Sequence, residues 1–114
     1  MATEEEMNAY LEAARTGRGA YLIDKNTLLE LYHFAAARNL LLDGVEPYKI
    51  EDGREKAYVH LTFTPTEIYK SYSHLSWADR IVAVKHDIDD MLKEVSRSGG
   101  EFRFTVWVDD EEGW

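Results

Sequence analysis

The sequence predicts an α+β fold: a small, mainly antiparallel sheet of about three strands with three to four helices packed on it, in the order α-α-β-β-α(α)-β. Three observations carry this expectation. Apolar residues recur at three- and four-residue steps from Ser76 to Gly100, the spacing of one long helical stripe. They alternate from Glu101 to Val108, with Phe102, Phe104, Val106 and Val108 on one side and Arg103, Thr105 and Trp107 on the other. Between Leu42 and Val45 the period switches from helical to alternating. At 114 residues, with no internal repeat and no dividing linker, the chain reads as a single acidic α+β domain, 1–114.

Taken in order, Thr3 and Glu6 are spaced as a capping box ahead of a stripe of Met7, Tyr10, Leu11 and Ala14, and Gly17 ends this first helix. Ala20 to Ile23 is an apolar run too short for periodicity to separate a strand from a buried linker. Asp24 to Asn26 offer caps for a second helix, with Thr27 and Glu30 as another box. Leu28, Leu31, Tyr32, Ala35, Asn39 and Leu42 share one face of it. Leu29, Phe34, Ala36, Leu40 and Leu41 widen that face, so a central helix is expected to run to a stop at Asp43-Gly44. Val45 to Ile50 reads as a weak strand, and Pro47 within it argues for a sheet edge or an early bend. Glu51 to Glu55 carries the Asp-Gly hairpin signal in a loop longer than two residues. Lys56 to Thr64 is expected as a strand, with Ala57, Val59, Leu61 and Phe63 on one face and Tyr58, His60 and Thr62 on the other.

Thr64-Pro65-Thr66-Glu67 opens the next helix, through Ile68, Tyr69, Tyr72 and Leu75. Serines at 71, 73 and 76 favour a break before Trp77. The long helix then carries Ile81, Val84, Ile88, Met91, Leu92 and Val95 on its stripe, is capped by Ser76 with Asp79, and stops at Gly99-Gly100; Val82 falls outside the stripe. A continuous 66–98 helix would place the last strand beside Val45–Ile50, whereas a break lets it pair beside 56–64.

Composition narrows the function. Twenty-two acidic residues against 13 basic ones give a formal charge of −9, which disfavours direct nucleic-acid binding and anionic membranes and permits a basic partner. Without cysteine there is no disulfide framework and no thiolate-ligated zinc. No apolar run reaches the ~18 residues of a membrane span, and the acidic start lacks a secretory signal, so the expected location is cytoplasmic. His86 and Asp90 lie one helical turn apart, but His33, His60 and His74 fall on other elements; neither metal nor cofactor is expected. Gly17-Arg18-Gly19 lacks the context of a phosphate loop, and no serine sits in a nucleophile elbow, so no enzyme is expected.

Two surfaces remain. Tyr58, His60, Thr62, Arg103, Thr105 and Trp107 are expected to share the second face of the sheet, covered by a helix or by a partner. The chain also grows more acidic from Asp87 onward. Carboxylates projected from a helix and a neighbouring tail can present charge as a nucleic acid does. The function expected is a small non-catalytic protein-binding module, an inhibitor or antidote of microbial or phage type that occupies a basic, nucleic-acid-handling partner. Its binding residues are Asp87, Asp90, Glu94, Asp109, Asp110 and Glu111, with Trp107 and Trp114 as apolar anchors. The alternatives are a structural or regulatory subunit that forms a homo-oligomer, and a small-ligand-binding protein or enzyme with a pocket beneath Tyr58, Tyr69 and Tyr72.

Overall fold

The structure, a computed structural model, describes residues 2–64 and 70–113. The chain runs through α1 (Glu4–Ala14), β1 (Ala20–Ile23), α2 (Lys25–Ala36), β2 (Leu41–Glu51), β3 (Arg54–Ala57), α3 (Trp77–Ser98) and β4 (Glu101–Asp109). Short 3-10 turns lie at Val59–Leu61 and Glu111–Gly113. The fold is α+β, and its sheet has four antiparallel strands in the order β1-β4-β2-β3 rather than about three. The additional strand is Ala20–Ile23, which takes the edge beside β4 by pairing Ala20 with Val106 and Ile23 with Phe104.

Caps fix the helices where the sequence places them. Thr3 and Glu6 close a complete capping box on α1, Asp24 accepts from the Thr27 amide at the start of α2, and Ser76 accepts from the Asp79 amide at the start of α3. The cap at Ser76 breaks the helical region. Residues 70–72 are helical, and the Arg80 guanidinium donates to the carbonyls of Tyr72, Ser73 and Leu75 just before α3 begins. The start of the preceding helix, from Pro65 to Tyr69, lies outside the described residues. Despite the break, β4 pairs with β2 along its length, the partner expected of a continuous helix.

Three local readings are corrected. First, α2 ends at Ala36, not at Asp43. Asn39 takes a left-handed φ of 61°, and the Leu40 amide donates back to the Ala35 carbonyl at 2.9 Å. This is a helix stop with Asn in the role usually given to Gly. Leu41 and Leu42 then belong to an inner strand buried on both sides, where apolar residues run without alternation. Asp43-Gly44 marks a β-bulge instead of a helix end. Second, the hairpin loop is only Asp52-Gly53, both at positive φ, with Glu51 paired to Arg54.

Third, the strand expected over Lys56 to Thr64 leaves the sheet after Ala57. The Tyr58 amide reaches the Pro47 carbonyl at 2.9 Å, and Phe63 exchanges both bonds with Val45 at 3.2 Å. Residues 45 and 47 therefore face this edge, and Pro47 has no N–H to return a bond to Tyr58. The ladder loses its donor there, and the chain loops out through the 3-10 turn before touching Val45 again.

Among the described residues, α1, α2 and α3 share one core with the sheet. Ala2 N–H donates to Glu30 between the start of the chain and α2, and the Tyr32 hydroxyl donates to the Ile81 carbonyl at 2.9 Å between α2 and α3. The core between helices and sheet holds Met7, Leu11, Leu28, Leu31, Ile81, Val84, Ile88, Phe104 and Val106. Each such side chain contributes about 1.5–3 kcal/mol through burial. Val82, outside the stripe, is exposed. Among the described residues no helix is long and apolar enough to cross a membrane.

Candidate functional site

The acids expected to bind a partner fall into two separate groups. Asp87, Asp90 and Glu94 lie on successive turns of α3 and line one groove. Asp109, Asp110 and Glu111 lie at the far end of β4, nine residues (roughly 30 Å of strand) from where α3 hands over to the sheet. There Asp110 pairs with Arg15 of the segment after α1 at 3.3 Å, its amide donates to the Asp109 carboxylate at 2.9 Å, and Glu111 is exposed. The two groups do not form one row. Trp114 lies outside the described residues.

The α3 groove encloses about 360 Å³. One wall is Asp87, Asp90, Met91 and Glu94; the other is His60, Leu61, Phe63 and Ser71. The loop of chain forced out of the sheet at Pro47 supplies His60, Leu61 and Phe63 of that second wall, and the helical residues 70–72 supply Ser71. Its floor is apolar and its rim is acidic. Asp87 accepts from the Tyr72 hydroxyl at 2.8 Å, tying residues 70–72 to the helix. Burial, reinforced by this carboxylate, pushes the Tyr72 phenol up to about 12. Glu94 is bonded to Arg97 on the same exposed face, and Asp89 to Lys85 at 2.8 Å, which dilutes the acidic charge of α3. His60 stacks at a tilt on Tyr58, with ring centres 5.3 Å apart. Ser71, His60 and Asp87 share the groove, but the Asp87 carboxylate is held by Tyr72, not by the imidazole. Among the described residues no three His, Asp or Glu side chains are grouped to hold a metal ion.

The second face of the sheet differs from expectation. Register pairs Tyr48 with both Arg103 and Ala57, so Tyr48 and Arg103 share this face, while Tyr58, the next residue, turns to the helix side. There its ring meets Phe102 edge-on at 5.1 Å. Tyr58 and His60 therefore do not join Trp107, and Thr62 closes the 3-10 turn by bonding the Tyr58 carbonyl. What shares the face with Arg103, Thr105 and Trp107 is Tyr21, Glu46, Tyr48 and Ile50. Tyr21 and Tyr48 meet edge-on at 6.4 Å, and burial together with the neighbouring Glu46 carboxylate pushes the Tyr48 phenol up to about 12. The Trp107 indole donates to the Gly17 carbonyl at 3.2 Å. Gly19 sits against it so closely that a Cβ would come 2.9 Å from the ring.

One buried carboxylate belongs to neither surface. Asp43, the bulge residue of β2, is only 6% exposed, and its Oδ1 has no partner among the described residues. Burial and the neighbouring charge of Asp109 push it up to about 6.

The aromatic cluster of Tyr21, Tyr48 and Trp107 was hidden from pattern reading because Tyr48 appeared beside Pro47 in a weak strand. The Asp52-Gly53 turn fixes Glu51 opposite Arg54 and so Tyr48 opposite Ala57, but only the pairing of β4 with β2 and β1 brings Trp107 and Tyr21 to the same face. No protein-family model matches the chain, and neither does any curated protein or any solved structure.

Proposed function

We propose that the protein is a small, acidic, non-catalytic binding module that docks a basic surface of a partner protein through the α3 groove. The observation that carries this reading is the pairing of an apolar floor (Leu61, Phe63, Met91) with an acidic rim (Asp87, Asp90, Glu94) in one cleft. A lysine or arginine side chain has the matching anatomy, an aliphatic stem and a charged head. The overall charge of −9 supplies long-range attraction and speeds encounter with a basic partner. A nucleic-acid-handling protein, whose working surface is basic, is the class of partner this chemistry suits; an inhibitor or antidote would act by occupying that surface.

The test uses the tagged protein and its D90K/E94K variant in parallel pull-downs at low and high salt. Both substituted positions are exposed, so the fold is expected to persist. A basic protein held by the parent, released by salt and lost in the variant supports the reading. Equal capture by parent and variant refutes it. Asp87 is left intact because it also anchors Tyr72.

A further inference from the structure

We propose that the cleft between α2 and α3, on the flank of α3 away from the acidic groove, binds a small amphipathic anion: a carboxylate head on an alkyl chain. Lys25 and Leu29 of α2 face Asp89, Leu92, Lys93 and Ser96 of α3 across a lobe of about 430 Å³. A second lobe of about 230 Å³ continues inward where α3 hands over to β4, and reaches Val95 and the core residues Phe102 and Phe104. Lys25, Leu92 and Ser96 line both lobes, so the two form one continuous cleft. Its size suits a small molecule, for which sites run from roughly 300 to 1,000 Å³.

Charge selects the occupant. Asp87, Asp90 and Glu94 line the groove on one flank of α3, whereas Asp89, Lys93 and Ser96 lie roughly half a circle around the helix axis. Each acid beside the cleft is already engaged. Asp89 holds Lys85 at 2.8 Å, and Asp24 accepts from the Thr27 amide at 2.8 Å. Glu51 pairs at 3.4 Å with Lys49, whose side chain lies against Gly100 at the inner lobe. Lys25 and Lys93 are exposed and make no ion pair among the described residues. Two unpaired lysines at the rim attract an anion, even on a chain of formal charge −9. The floor of Leu29, Leu92, Val95, Phe102 and Phe104 requires that this anion carry an apolar body. The head sits by Lys25 and Ser96, where the lobes meet, and the chain enters the inner lobe. A carboxylate suits the site better than a phosphate, because the C-terminal carbonyls of α3 and the field of the whole chain penalise a second negative charge.

The cleft shares no lining residue with the groove, so the two sites stand or fall independently. The experiment titrates the isotope-labelled intact chain with octanoate, octanol and octyl phosphate, each below its aggregation threshold, and follows amide chemical shifts. The parent is compared with K25E/K93E and K25Q/K93Q, with circular dichroism as the check on folding. Octanoate is expected to shift the amides of Leu92, Ser96, Gly99 and Gly100 and to leave those of His60 and Leu61 in place. Octanol should bind about tenfold or more weaker, and both lysine variants should weaken octanoate by a similar factor, the reversal more than the neutralisation. Absence of any shift at millimolar octanoate overturns the proposal, as do shifts centred on the groove. So does octanol binding as well as octanoate, or octanoate affinity undiminished in a folded lysine variant. Tighter binding of octyl phosphate overturns the assignment of a carboxylate. Should K25E/K93E fail to fold, K25Q/K93Q decides alone.

Discussion

Replacing Asp43 by Asn removes an ionisable group from a place that resists charge. The carboxyl is buried at the β2 bulge, Oδ1 is unpartnered among the described residues, and Asp109 adds a like charge nearby. Its pKa rises from 3.8 to about 6 on folding, so the folded state favours the protonated form. Stability from this group is fully present below 3.8 and is lost as the pH rises through 6. Holding the carboxylate ionised at pH 7 costs about 3 kcal/mol, and at pH 4 only about 0.5 kcal/mol. The Asn side chain brings a packing and hydrogen-bonding cost of its own, but that cost is nearly independent of pH. The difference between parent and D43N should therefore shift by about 2 kcal/mol in the variant's favour between pH 4 and pH 7. Urea unfolding followed by tryptophan fluorescence at the two pH values measures it, with an unchanged m-value as the check on two-state behaviour. A parent-to-variant difference that is the same at both pH values would refute the claim that Asp43 is buried as a charge.

Gly19→Ala should destabilise by about 1–3 kcal/mol, because φ is +74° and the new Cβ would meet the Val106 carbonyl at 2.8 Å and Trp107 at 2.9 Å. Gly53→Ala, at φ +75° with open space around it, should lose only the backbone term, and thermal melts of the two variants separate the effects. Asp87→Asn should bring the Tyr72 phenol down from about 12 only part of the way toward 10, because burial is the larger cause and remains; ultraviolet titration reads the change. The raised phenol pKa means that the stability it contributes is present below pH 10 and is lost as the pH climbs toward 12, so this alkaline loss, followed by circular dichroism, should be smaller in the variant than in the parent.

What could be read from the sequence was what is determined locally. The Thr3–Glu6 box, the Ser76 cap and the Gly99-Gly100 stop are short-range chemistry, and α1 and α3 follow from them. The strand over Glu101 to Val108 alternates cleanly because one of its faces meets the helices and the other does not. The errors fall where a distant partner decides. Leu40, Leu41 and Leu42 fit a helical stripe and a buried inner strand equally well, and only Asn39 turning left-handed ends the helix. Val59 to Phe63 alternates like a strand, yet the edge it would join is missing a donor at Pro47. The groove and the aromatic face both descend from these two places. One groove wall is mostly the expelled loop, and the face is assembled by the long-range pairing of β4 with β2 and β1. The sequence puts Asp87, Asp90 and Glu94 on the long helix, but that they line one groove with His60 and Phe63 opposite follows only from the loop.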